Sequence, residues 1–234
     1  FTEFPKTDKI YNYEEQEDVP FFWIKTKKYT KTASLSRILS WIDFEAKLFL
    51  MNLKKIQKPN VVVVSSLSIF TILYGIYLKT KYKCFLVFEV RDIWPLTLTE
   101  TGGFSKWHPL VLCIGFLEKL GYKKADLIVG TMPKLNLHVE NILGYSRPYL
   151  CSPLGFNPSN YDKINTKENP FNSVFPQNKT IVGYAGSLGV SNALEPYINM
   201  IKLMKDDSTF HFMIVGDGDF RDIYIKELRD CKNV

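Results

Sequence analysis

The stretch Val182-Gly183-Tyr184-Ala185-Gly186-Ser187-Leu188-Gly189-Val190-Ser191-Asn192-Ala193-Leu194 decides the fold. An apolar strand, Thr180–Ala185, runs into a glycine-bearing turn, Gly186–Ser191, and a helix is expected over Asn192–Lys205. The same step follows at once: a strand over Phe210–Val215, a turn at Gly216-Asp217-Gly218 and a helix over Phe220–Arg229. Two strand-to-helix steps in succession specify a parallel sheet. Ligands of such sheets bind outside the carboxyl ends of the strands, so both turns are candidate sites, as are the strand ends at Ser65-Ser66 and Glu89–Asp92.

Gly186 lets the chain leave its strand tightly, and Gly189 lets backbone approach a ligand. A helix starting just beyond them would offer unpaired N–H groups and partial positive charge to a diphosphate. The same residues also suit a tight turn that binds nothing. A lysine-bearing phosphate loop is absent, so the sequence does not support ATP hydrolysis. At the second turn, Asp217 either accepts a hydrogen bond from a ribose or base, or caps the helix from Asp219 on.

Towards the amino terminus the texture changes. Pro153–Gln177 holds Pro153, Pro158, Pro170 and Pro176 among Asn and Ser, without sustained periodicity, and reads as an interdomain linker. The expected organisation is a first domain over 1–152, the linker over 153–177 and a second domain from 178 to 234.

The first domain has its own α/β pattern. Phe21–Ile24 reads as a short buried strand. Ser34–Lys55 reads as a long helix with Arg37, Lys47, Lys54 and Lys55 on it. Val61–Val64 is an apolar run typical of a central parallel strand. Ser65–Ser68 is a turn, Ile69–Lys79 a helix and Cys84–Val90 a strand that ends on Arg91-Asp92. Ile93–Gly103 reads as a loop. Pro109–Lys123, Asp126–Thr131, Pro133–Leu143 and Pro148–Ser152 continue as helix, strand, helix and strand, with Pro133 suited to a first helical turn.

Charged residues directly after an apolar strand are poorly explained by packing, so Arg91 and Asp92 are candidate functional residues. Glu89 lies inside the apolar run and needs a partner, with Arg91 the nearest candidate. Glu100 and Gly102-Gly103 follow in a loop able to close over that strand end. The helix Ser34–Lys55 either packs on its own sheet or offers a basic amphipathic face to lipid.

Composition bounds the rest. The chain has 234 residues, 46% hydrophobic and 23% charged, which is ample for one large or two small folded domains. A net charge of +6 favours an anionic partner or a lysine-rich soluble surface. Cys84, Cys113, Cys151 and Cys231 are far apart, and Cys84 and Cys113 read as buried thiols. They suit a reducing cytoplasm rather than a disulfide framework. His108, His138 and His211 show no metal spacing; His211 reads as structural or exposed. No apolar run approaches the roughly 20 residues of a membrane span. The chain opens at Phe1 without an initiator Met and stops soon after a helix, so both ends read as cuts through a larger protein.

Taken together, Phe88–Pro95, Leu96–Gly103, Tyr122–Asp126, Tyr184–Leu194 and Ile214–Gly218 resemble bacterial glycosyltransferases of family 4. The resemblance is to the capsule and O-antigen branch that includes fucosamine transferases. It implies a GT-B fold, α/β, with two Rossmann-like parallel-sheet domains, both incomplete here. It implies a retaining transfer of a hexosyl or N-acetylhexosaminyl group from a nucleotide sugar, UDP-linked, to a lipid-linked glycan. It implies no cofactor, no catalytic metal and no nucleic acid partner, at the inner face of the plasma membrane. By position, Gly186, Ser187 and Gly189 would lie by the donor diphosphate, and Gly216 and Asp217 near the nucleoside. Arg91 and Asp92 would line the cleft as catalytic residues, and Glu89, Glu100, Gly102 and Gly103 the acceptor side.

The sequence departs from the family at Ser187, where many members carry Arg, and in lacking a following Lys. The interdomain motif survives only as Pro153-Leu154-Gly155-Phe156-Asn157. A first strand with a Gly-Gly loop and a paired-glutamate motif would fall outside Phe1–Val234, so this chain by itself is expected to be inactive. A GT-B epimerase and a non-catalytic nucleotide-binding scaffold are the alternatives.

Overall fold

A computed structural model describes residues 9–28, 35–52, 56–100, 102–159, 175–176 and 178–234. The chain divides into two units, Phe1–Gly155 and Phe156–Val234.

The first unit begins with an antiparallel hairpin, β1 (Tyr11–Gln16) and β2 (Val19–Ile24), turning through Glu17 and Asp18 in left-handed conformation. A single buried strand at Phe21–Ile24 was the expectation. Pairing with β1 instead leaves Phe21 on an open face, while Phe22 and Ile24 turn inward. Helix α1 (Leu35–Leu50) follows; the expected extension through Lys54 and Lys55 lies outside the described residues, as does the Arg37 side chain.

Four parallel strands then form one sheet in the order β3 (Val61–Ser65), β4 (Phe85–Val90), β5 (Leu127–Gly130) and β6 (Tyr149–Cys151). Helices α2 (Thr71–Tyr82), α4 (Pro109–Lys124) and α5 (Leu135–Leu143) connect them, with α3 (Leu96–Glu100) inside the expected loop Ile93–Gly103. Helix α4 starts as its sequence dictates: the His108 side chain accepts the Leu110 N–H, and Pro109 occupies the first turn.

Strand pleating sets the core. Leu86, Phe88 and Val90 of β4 point one way and are buried with Val64, Ile72, Ile114, Tyr122 and Ile128. The opposite face is open at Val61 and at Val63, 64% exposed. The run Val61–Val64 therefore does not form a central strand covered on both faces. It stands at one end of the described sheet, with only Val62 and Val64 turned to the helices.

Between α4 and α5, Glu118 is buried on the helix interface. It accepts the Tyr122 hydroxyl at 3.0 Å and meets His138 Nε2 at 2.9 Å. Burial, with the Glu118 carboxylate alongside, raises the Tyr122 phenol and keeps it protonated. His138 thus has a structural partner. Cys84 is buried as expected, but Cys113 is exposed because it falls on the outward side of α4 beside Leu112 and Phe116.

The second unit has a two-stranded parallel sheet, β7 (Thr180–Ala185) with β8 (Phe210–Val215). Helices α6 (Glu195–Leu203) and α7 (Arg221–Glu227) cover it through Leu188, Leu194, Ile198, Ile201, Phe212, Tyr224 and Leu228. His211 is half-buried in β8. Among the described residues, no helix is long and apolar enough to cross a membrane.

Candidate functional site

In the first unit, the carboxyl ends of β3 and β4 are tied together by one serine. Ser66 is buried immediately after β3, and its N–H donates to Glu89 O at 2.8 Å. Its Oγ accepts the N–H groups of Arg91 at 2.9 Å and Asp92 at 3.2 Å. The Trp94 indole donates to Ser66 O at 2.8 Å, and Trp41 of α1 packs edge-on against Trp94. The loop backbone is thereby fixed, while the Arg91 and Asp92 side chains remain exposed. Reading the sequence missed Ser66, Trp41 and Trp94 as the groups that shape this loop. The signal lay in Trp94-Pro95, one residue beyond the charged pair.

Glu89 is half-buried rather than enclosed, so its carboxylate reaches solvent without a cation. Among the described residues no ion pair joins it to Arg91, contrary to expectation. Glu100 is exposed at the end of α3. Gly102 and Gly103 close that helix: Phe104 N–H reaches back to Leu98 O at 3.2 Å, and Gly103 has φ +67°. A side chain on Gly102 would stand 2.7 Å from Leu98 O. Both glycines therefore have a reason within the fold itself.

In the second unit the two glycine-bearing turns are bonded to each other. Gly186 N–H donates to Val215 O, Leu188 N–H to Asp217 O and Phe220 N–H to Leu188 O, each at 2.9 Å. The buried Leu188 side chain anchors the arrangement. A Cβ on Gly216 would lie 1.8 Å from Gly186 O, and one on Gly218, at φ +153°, 2.6 Å from Leu188 O. These glycines are required by the close approach of the turns. Asp217 accepts the Gly218 N–H at 2.9 Å, folding back on its own turn rather than capping the next helix.

Gly189 differs. Its φ of −130° suits any residue, and a Cβ there would meet nothing nearer than Ser187 Oγ at 3.6 Å. Among the described residues no acceptor takes the N–H of Ser187 or Gly189. Ser187 O is held by the Tyr184 hydroxyl at 2.9 Å and by the Asn192 amide, two contributors that sequence reading overlooked. The helix does not start at Asn192: Val190–Asn192 forms a 3₁₀ turn, and α6 begins at Glu195-Pro196. The reason is local, since Ala193 adopts the left-handed conformation and Pro196 suits a first helical turn. The helix start with its partial positive charge is thus displaced from the glycine turn and carries an acidic residue.

Among the described residues, no three His, Cys, Asp or Glu side chains cluster to hold a metal ion.

No family model matches the sequence, and no curated protein matches it. Solved structures do. The crystal structure of TarM matches over 78% of this chain and 33% of its own, at 15% identity and a TM-score of 0.51. A second TarM structure, of a variant from S. aureus in complex with fondaparinux, alpha-GlcNAc-glycerol and UDP, matches over the same shares at 13% identity and a TM-score of 0.46. The chain spans about a third of the TarM length. The likeness is one of fold: α/β of the GT-B kind, with partial Rossmann-like units.

Proposed function

We propose that this chain is part of a retaining GT-B glycosyltransferase that transfers a sugar from a UDP-linked donor to a lipid-linked glycan. The finer reading is a hexosyl or N-acetylhexosaminyl transfer in capsule or O-antigen synthesis, by an enzyme of family 4, at the cytoplasmic face of the plasma membrane. Fold likeness to TarM, a GT-B glycosyltransferase, supports the general class. The observation that carries the donor assignment is Gly189. It is the glycine of these turns for which packing gives no reason, and its N–H and that of Ser187 are free to face an anion.

In this reading the Ser187 and Gly189 N–H groups stabilise the charge that develops on the leaving diphosphate. Gly186 and Gly216 keep the two turns close, and Asp217 lies near the nucleoside. Arg91 neutralises or orients the reacting groups, and Asp92 positions a sugar or acceptor hydroxyl. Glu89 and Glu100 lie on the acceptor side.

Hydrogen exchange of the intact enzyme with and without UDP tests the donor site. Protection over Gly186–Gly218 is the expected result; unchanged exchange there overturns it. One observation favours a non-catalytic scaffold as the second reading: Glu195 at the head of α6 opposes phosphate binding at that helix. Unchanged transfer by the intact enzyme after Arg91→Ala or Asp92→Ala would favour this reading.

A further inference from the structure

The first unit holds two adjoining cavities that the transfer reaction does not use. One, of about 300 Å³, is lined mainly by apolar side chains, including Phe22 and Ile24 of β2, Phe44 and Leu48 of α1, and Leu78 and Tyr82 of α2. The other, of about 280 Å³, shares Met51, Tyr74 and Tyr82 with it and adds Phe49, Asn52, Tyr77 and Lys81. Pro59 and Tyr82 lead into the starts of β3 and β4, so this region stands at the amino end of the sheet. Ser66, Arg91 and Asp92 stand at the carboxyl end. Each cavity is at the small end of the ~300–1,000 Å³ range of ligand sites.

Three observations give the pair a chemical character. Among the described residues, Lys81 is the one charged residue lining either cavity. Its ammonium is held 5.3 Å from the ring centres of Tyr77 and Tyr82 and 3.1 Å from the Tyr77 hydroxyl. Tyr74 lines both cavities and is 9% exposed, and its buried hydroxyl has no hydrogen-bond partner among the described residues. Such a group favours a ligand that can supply one. Finally, Phe49 lines the second cavity and belongs to an exposed apolar stripe of α1 with Leu39, Ile42 and Leu50.

We propose that these cavities bind a single hydrocarbon chain bearing a phosphate headgroup. The chain occupies the apolar cavity between β2, α1 and α2, and the phosphate meets Lys81 and the Tyr74 hydroxyl. The α1 stripe beside the opening suits a membrane surface as the source of the amphiphile. This site goes beyond the proposed transfer and does not depend on it.

Calorimetric titration of the 234-residue protein with octyl phosphate, octanol and inorganic phosphate tests the proposal. Octyl phosphate should saturate one site, octanol should bind more weakly, and inorganic phosphate should not bind. Leu78→Trp, which fills the apolar cavity, should abolish binding; Met51→Trp serves if circular dichroism shows the first variant unfolded. Lys81→Gln should weaken octyl phosphate about threefold and leave octanol unchanged. Tyr74→Phe should weaken octyl phosphate about fivefold without lowering the melting temperature, whereas a purely structural hydroxyl would lower it. Farnesyl phosphate binding tighter than octyl phosphate assigns the chain to a prenyl source, and the reverse order to an acyl source. The proposal is overturned if folded wild-type protein shows no saturable binding. It is equally overturned if both folded Trp variants still bind, or if octanol matches octyl phosphate.

Discussion

The loops that end β4 and β7 occupy equivalent positions in their own sheets, yet different bonds hold them. After β4, a buried serine hydroxyl and an indole gather the backbone, and charged side chains are left free at the rim. After β7, backbone bonds to the turn after β8 do the work, and glycine is needed so that the two turns can touch. The first loop presents side chains to a ligand. The second presents main chain.

Substitution at the glycines separates the two arrangements most sharply. Gly216→Ala drives a methyl into Gly186 O, which is backbone and cannot rotate away; a loss of about 4 kcal/mol is expected in urea unfolding of the second unit. Gly189→Ala should change stability by less than about 1 kcal/mol, in the stabilising direction, because its conformation is ordinary and the space is open. Under the proposed function it should nevertheless weaken UDP binding by the full-length protein. Equal stability losses at the two positions would erase the distinction drawn between them.

The counterpart in the first unit is Ser66→Ala. It orphans the N–H groups of Arg91 and Asp92 together, so a loss of about 3 kcal/mol in denaturant unfolding is expected. A loss below about 1 kcal/mol would mean that the loop is held by something other than the serine.

A pH titration should also distinguish the units. In the first, Glu45 of α1 is 7% exposed, and burial pushes its carboxyl up to about 7 against the opposing pull of the Tyr74 N–H at 3.1 Å. The folded state then holds a proton that the unfolded state releases from its ordinary value of 4.5. Stability from this group is fully present below about 4.5 and declines as pH rises to about 7, by on the order of 2–3 kcal/mol. Glu45→Gln should flatten that dependence and stabilise the protein at pH ~8. Thermal unfolding from pH ~5 to ~8, followed separately in each unit by hydrogen exchange, checks both statements. A wild-type first unit with no fall across this range would contradict them.

The smallest stability effect belongs to the exposed pair. Arg91→Ala and Asp92→Ala should each stay within about 0.5 kcal/mol in unfolding, since their side chains are exposed and the loop is held through their backbone. Under the proposed function, the same changes should slow transfer by the full-length protein about a hundredfold or more. A large stability loss would move these residues from the reaction to the scaffold.

Sequence periodicity alone identified the parallel strands and most of the connecting helices, because burial on a sheet writes a pattern of period two and on a helix one of period 3.6. It also picked out the strand ends, where Arg91-Asp92 and the two glycine turns break those patterns. It could not assign a reason to each glycine. Gly216, Gly218 and Gly189 look alike in a sequence, and only the distance to a neighbouring carbonyl shows that two are packed and one is open. Nor could it give Ser66 its role, since Ser66 is an ordinary residue at a strand end until the loop after β4, 25 and 26 residues away, delivers two N–H groups to its hydroxyl. The displaced helix start at Glu195 was hidden for a related reason. The choice between a 3₁₀ turn and a helix after Gly189 depends on how Leu188 is anchored in the core and how Asn192 and Tyr184 hold Ser187. Local pattern reports which way a residue faces. Contacts between segments distant in the chain decide what it meets there, and those exist only in the folded molecule.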